Sequence, residues 1–257
     1  MSVINAYKEQ MVIRGRTLRD RNVNTLQRTI LTYAPNNPAY KPLSINGIET
    51  YAVINSKDDY NIKEIVCMPG EKAPLGSNVV FCDVPWLVIS TDIDDEVYGK
   101  GKMQRCNCVM KWKDAKGVIH SYDGVAEDAT KYSEGVESTQ YLRIAEFQIK
   151  VKIHLDAASA IIGRDMRFVI DADKYIDSII KNDDRPFVFK VTRRNIVTGT
   201  YVDDGYVEIT LVQDQWIEGK DDYEEMLAAQ PYELQDAYPI VKPSENDSED
   251  AEEGGWL

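Results

Sequence analysis

The chain has 257 residues, 43% of them apolar and 28% charged, with a formal net charge of -13 at pH 7. That length and composition allow a sizeable buried core and exclude a wholly disordered chain. The acidic excess repels phosphates, which excludes wrapping nucleic acid with the whole surface but leaves room for a local basic patch.

No apolar run reaches the roughly eighteen residues that a membrane helix needs, so no membrane partner is expected. Fifteen Tyr against five Phe, with many Val, Ile and Thr, favour strands over helices. The opening MSVINAYKEQMVIRGR is amphipathic and lacks the apolar stretch of a secretory signal. The four cysteines are therefore expected to be reduced thiols in a cytoplasm-like compartment.

Three zones follow: an N-terminal arm over 1–40, a β-barrel or sandwich core over 41–215, and a C-terminal helix with an acidic tail over 216–257. In the arm, Ile4, Tyr7 and Met11 fall at helical spacing. RGRTLRDRNVNTLQR comes next, where Arg14, Arg16, Arg19, Arg21 and Arg28 outnumber Glu9 and Asp20. APNNP is expected to end any helix, because Pro35 and Pro38 remove donors and push their predecessors toward extended geometry.

In the core zone, Asn46-Gly47 predicts a hairpin, since a type I′ turn needs positive φ at both central positions. VVFCD and WLVIST, flanking Val84-Pro85, predict a second pair. Asp114-Ala115-Lys116-Gly117 predicts a turn with Gly117 in the left-handed position. FQIKVKIHL is the clearest strand, with Phe147, Ile149, Val151, Ile153 and Leu155 on one face and Gln148, Lys150, Lys152 and His154 on the other. MRFVI, FVFKVTR and GYVEITLV complete a spacing that suits a barrel or sandwich.

In the last zone, Asp221 and Asp222 are expected to cap a short helix, DDYEEMLAAQ, ended by Pro231. SENDSEDAEEGG has acids and no bases and is expected to stay disordered. The apolar pair Trp256 and Leu257 is expected to dock only against a partner.

RCNCVMKW poses the chemical question, because two cysteines one residue apart could bind metal or pack. Strand alternation puts Cys106, Cys108, Met110 and Trp112 on one face, which describes a core. Zinc would need two further ligands, and His120, Cys67 and Cys82 form no knuckle with them. Ser121, His120 and Asp123 crowd one strand and cannot form a triad. His154 on a polar strand face reads as solvated, TDIDDE as a solvated acidic loop, and Gly99-Lys100-Gly101-Lys102 as a mobile turn. No catalytic, cofactor-binding or metal residues are assigned, and no enzyme is expected. Three readings remain for the arm arginines: a solvated helix face, pairing with acids of a partner or neighbouring subunit, or nucleic-acid binding.

The β zone resembles small proteins encoded in the structural-gene clusters of tailed bacteriophages and prophages of Gram-positive bacteria, assigned to head–tail joining. PLGSNVVFCDVPWLVIS, RCNCVMKWKDAKG, RFVI and KVTRRN carry the resemblance, over roughly residues 41–212. Gly76-Ser77-Asn78 stands where Gly-Asp would be expected. The resemblance implies a β protein forming a homo-oligomeric ring at the virion neck after assembly in the host cytoplasm. As a head-closure (stopper) protein or adaptor, it would meet portal or adaptor proteins on one side and tail proteins on the other. Double-stranded DNA would pass without sequence-specific binding, and the family brings no catalytic residues and no cofactor. The alternatives are another virion protein, capsid-associated or at the tail end, and a β-sandwich carbohydrate-binding module or hydrolase.

Overall fold

The computed structural model describes residues 15–234, apart from 16, 57–58, 93–94, 129–147, 171–187, 202–203 and 223. Ile4, Tyr7, Met11, Arg14, Arg16, Phe147, Trp256, Leu257 and the acidic tail thus lie outside the described residues.

Helix α1 (Leu18–Tyr33) opens this part of the chain. The Asp20 amide donates to Thr17 Oγ1 at 3.1 Å, and the Thr17 amide donates back to the Asp20 carboxylate at 3.0 Å. This reciprocal box satisfies two of the amides a helix start leaves orphaned. Pro35 falls in a short 3₁₀ turn, Ala34–Asn36, that follows directly. Asn37, ahead of Pro38, is extended, so APNNP ends the helix as its prolines require.

Six antiparallel strands then close into a barrel: β1 (Tyr40–Ile45), β2 (Ile48–Ser56), β3 (Ile62–Cys67), β4 (Asn78–Phe81), β5 (Val84–Asp92) and β6 (Lys100–Arg105). Their order around it is β1-β2-β3-β6-β5-β4. Asn46 and Gly47, at φ 49° and 81°, make the expected hairpin turn. The β4–β5 turn differs from expectation. Cys82 and Asp83 turn the chain at φ 51° and 59°, while Pro85 lies inside β5 opposite Val80. Gly99-Lys100-Gly101-Lys102 is likewise no mobile turn, because Lys100–Lys102 pair on both sides as the start of β6. A Cβ on Gly101 would sit 2.7 Å from the Ser90 carbonyl oxygen, so the glycine lets the strands approach. Ile54, Ile65, Val79, Trp86 and Met103 fill the interior.

The second sheet contains β7 (Cys108–Lys113), β8 (Ile119–Asp128), β9 (Gln148–His154), β10 (Arg167–Val169), β11 (Val188–Asn195), β12 (Thr200–Tyr201) and β13 (Asp204–Asp214). Its path is β10-β11-β13-β9-β8-β7, with β12 on the side of β13. β10 and β7 come close across the remaining seam, so the sheet nearly closes. Met110, Trp112, Val151, Ile153, Phe168 and Leu211 form its core. The mainly β character expected from composition holds, and in the zone read as one core each β body has its own apolar cluster.

Only Cys106 and Asn107 separate β6 from β7, so the two β bodies are joined with almost no slack. Gly76 sits at the contact between them with φ 76°, and a Cβ there would lie 1.8 Å from the Gly205 carbonyl oxygen. The Gly76 carbonyl accepts from His154 Nδ1 at 2.8 Å. Gly76→Ala is therefore expected to cost more than the ~1 kcal/mol of a strained left-handed alanine, because it also forces the bodies apart. Gly47 is left-handed too but faces open space, so Gly47→Ala supplies the control. Denaturant unfolding of the pair measures the difference; equal costs would mean that the close contact at Gly76 contributes nothing.

Candidate interface: the exposed helix and the C-terminal segment

Helix α1 buries none of its residues. Leu18 is 75% exposed, Tyr33 67% and Leu26 51%, unusual values for large apolar side chains on one helix. Val23, Gln27 and Ile30 form its half-buried side. Two of its side chains bond one residue of the β5–β6 loop: Arg19 Nη2 meets Glu96 Oε1 at 2.7 Å, and Gln27 Nε2 donates to the Glu96 carbonyl at 2.8 Å. An exposed ion pair of this kind contributes at most about 1 kcal/mol. A single helix this short is marginal in water unless an apolar face is buried.

The arginines divide. Arg19 pairs within the chain, Arg21 Nε donates to the Gly15 carbonyl at 3.2 Å, and Arg28 is exposed. Arg21 and Arg28 lie two turns apart on the side of α1 facing away from Arg19. The hydroxyls of Thr25, Thr29 and Thr32 donate to carbonyls one turn back, at 2.7–2.8 Å. These polar groups are thus satisfied inside the helix, which lowers the cost of covering its outer face.

The C-terminal segment overturns an expectation. DDYEEMLAAQ is no helix: Asp222 and Leu227 form an isolated β-bridge, and Met226 turns the chain at φ 57°. Pro231 begins the short helix α2 (Pro231–Leu234) instead of ending one, which suits its fixed φ and missing donor. Asp221, read as a cap, is buried against Arg167 of β10.

Arg167 Nη1 and Nη2 reach the two Asp221 oxygens at 2.9 Å each, a bidentate pair. Arg167 Nε donates to Asp214 at 2.8 Å, and Nη2 also donates to the Gln215 carbonyl. Asp221 accepts further from the Ile217 and Ala229 amides, so the buried charges are fully bonded. Gln230, wholly buried, pairs with the Arg167 backbone as a strand neighbour would: Nε2 to the carbonyl at 2.7 Å, Oε1 from the amide at 3.3 Å. Tyr232 Oη donates to the Lys113 carbonyl on β7. Residues 230–232 thus lie across the seam between β10 and β7. Around this anchor the segment exposes Glu218, Asp222, Glu224, Glu225 and Glu233, with Lys220 as its basic residue.

The cysteine question resolves toward packing. Cys108, Met110 and Trp112 are buried on one face of β7, while Cys106 is half-buried just before it. Burial, helped by Asp123, pushes both the Cys106 and Cys108 thiols up to about 12. Burial and then Glu71 raise Cys67 to about 11. His120 stacks on Trp112 at 5.2 Å and meets Asp114 at 3.4 Å. His154 is not the solvated residue its strand face implied, since it is half-buried and bonded to Gly76. In the acidic loop, Asp92 pairs with Lys100 and Glu96 with Arg19. Among the described residues, no group of His, Cys, Asp and Glu is arranged to hold a metal ion.

Sequence reasoning missed the Arg167 cluster. An arginine opening an otherwise apolar strand, RFVI, was the available signal, because a buried guanidinium needs carboxylates somewhere. Arg167→Met strands the Asp221 carboxylate and is expected to cost about 3–5 kcal/mol in denaturant unfolding. A loss below 1 kcal/mol would mean that the pair does not hold the segment. At pH 8 a thiol titrating near 12 is ionised to only about one part in ten thousand, and the thiolate is the nucleophile. Alkylation of the native protein should therefore label exposed Cys82 first and spare Cys67, Cys106 and Cys108 until unfolding. Early labelling of Cys106, read by mass spectrometry, would contradict the packed arrangement.

No protein-family model and no curated protein matches the sequence. Among solved structures, the chain is similar to K. pneumonia MrkH in its apo state, at 9% identity and a TM-score of 0.26, covering 79% of this chain and 88% of that one. MrkH described as a c-di-GMP dependence transcription regulatory factor matches at 8% identity and a TM-score of 0.24, covering 77% of this chain and 84% of that one. The K. pneumonia MrkH-c-di-GMP complex matches at 8% identity and a TM-score of 0.24, over 79% and 89% of the two chains. Similarity this loose carries no functional reading for this chain.

Proposed function

We propose that the protein is a non-catalytic structural component of a tailed-phage virion, forming a ring at the head–tail junction. There it acts as a head-closure protein or adaptor between the portal-side complex and the tail. The observation that carries this reading is α1, a capped helix with no buried residue, carrying exposed leucines and arginines on a β body with its own core. Such a helix is stabilised by burial against another molecule. Two β bodies joined by two residues suit a part that transmits force without bending. The net charge of -13 suits a channel wall that DNA passes without sticking, since phosphate contacts bind regardless of sequence. The resemblance of PLGSNVVFCDVPWLVIS and RCNCVMKWKDAKG to head–tail joining proteins names the structure into which the ring would fit.

Deleting the gene from the phage or prophage that carries it should leave filled heads and finished tails that do not join. Complementation in trans should restore joined particles. Normally joined particles without the protein, or its location at the tail tip or on the capsid surface, would overturn the proposal. Electron microscopy of negatively stained lysates distinguishes these outcomes.

A further inference from the structure

The ring reading leaves open which surfaces meet, and two features among the described residues are complementary. Helix α1 carries Arg21 and Arg28 on the side turned away from Arg19, flanked by exposed Leu18 and Leu31. The C-terminal segment carries exposed Glu218, Asp222, Glu224, Glu225 and Glu233, interleaved with half-buried Met226, Leu227 and Leu234 and with Tyr232 at 39% exposure. One surface is basic and apolar, the other acidic and apolar.

We infer that the acidic segment over 217–234 is the docking site for α1 of a second copy of this chain, an inference that rests on the ring reading. A copy's own helix is engaged elsewhere, since Arg19 and Gln27 tie it to Glu96 of the first barrel. The acidic segment is anchored on the second β body through Arg167 and Gln230. The two surfaces therefore belong to different bodies of one chain, and pairing them between copies is a head-to-tail contact. Repeated around an axis, such a contact closes into a ring and uses each surface once per copy. Arginine suits this role, because its planar fork donates to carboxylates bidentately and is weakly hydrated. The anchor also explains why the acidic segment can serve as a docking surface. Asp221 is held by Arg167, so the exposed carboxylates sit on a fixed loop and lose little freedom when α1 arrives.

The test uses the full-length chain and three variants: R21E/R28E, E224R/E225R, and all four changes together. Self-association is measured by sedimentation at low and moderate salt, up to high protein concentration. Each double variant should weaken association about tenfold or more, and the fourfold variant should recover most of it, because opposite charges face each other again. Wild-type association should fall as salt rises, since these rim charges are screened. Circular dichroism and melting establish that every variant is folded. A wild type that stays monomeric throughout overturns the inference. So do double variants that associate normally, and a fourfold variant that associates no better than the doubles. Salt-sensitive binding of duplex DNA by the wild type, abolished in R21E/R28E while association is unchanged, would assign the helix to nucleic acid instead. The neck reading stands or falls separately. A chain whose deletion blocks head–tail joining, yet whose charge swap fails, keeps its place in the particle and loses this interface.

Discussion

Asn107 lies in the two-residue crossing between the two β bodies and extends the pairing of the second. Its side chain donates to the Ala126 carbonyl at 2.9 Å and accepts from the Ala126 amide at 2.7 Å, pairing with β8 as a strand residue would. One residue earlier, the Cys106 amide donates to the Pro85 carbonyl at 3.0 Å, on β5 of the first barrel. A crossing two residues long is thus bonded to both bodies. His154 adds a bond to Gly76, and Gln104 reaches Glu127 at 3.0 Å from the last turn of β6. The short connection and these hydrogen bonds tie the two bodies to each other.

The remaining elements decide which surfaces of this body stay open. The second sheet would present open edges at β10 and β7, and unpaired strand edges invite pairing with other chains. Gln230 and Tyr232 cover them from the same chain, while the Arg167–Asp221 pair clamps the segment that supplies them. Replacing such a pair by apolar residues is often neutral for stability, so its use lies in register: it places this segment and no other at the seam. Among the described residues, the C-terminal segment thus meets the β10 and β7 edges, while α1 stays uncovered. The proposed association through α1 rests on that division, since covered strand edges offer less to pair with than open ones.

Much of this was legible before the structure. The mainly β class followed from composition, and the hairpin at Asn46-Gly47 followed from the φ values a type I′ turn demands. The buried face of Cys108, Met110 and Trp112 followed from alternation alone. Other features were hidden because their causes are non-local. His154 sits on a polar strand face by pattern, yet its partner Gly76 is 78 residues away in sequence. Asp221 and Pro231 carry the local signature of a helix with a cap and a stop, and local propensity lost to a buried guanidinium 54 residues upstream. Lys100-Gly101-Lys102 looked like a loop because nothing nearby announces the Ser90 carbonyl that requires Gly101. At the candidate interface the arginines were legible as a cluster, whereas the exposure of α1 and the placement of the acidic residues around Asp221 needed coordinates.

The central proposal is that this body, one closed barrel joined to a nearly closed sheet, assembles head to tail through α1 into the neck of a tailed particle. Electron cryo-microscopy of that particle, at a resolution that separates helices from strands, tests it most directly. The account predicts a closed ring of this chain between portal and tail, with α1 of each copy lying on residues 217–234 of its neighbour. A particle with no copy of the chain at the neck, or with α1 folded back on its own barrel in every copy, would contradict it.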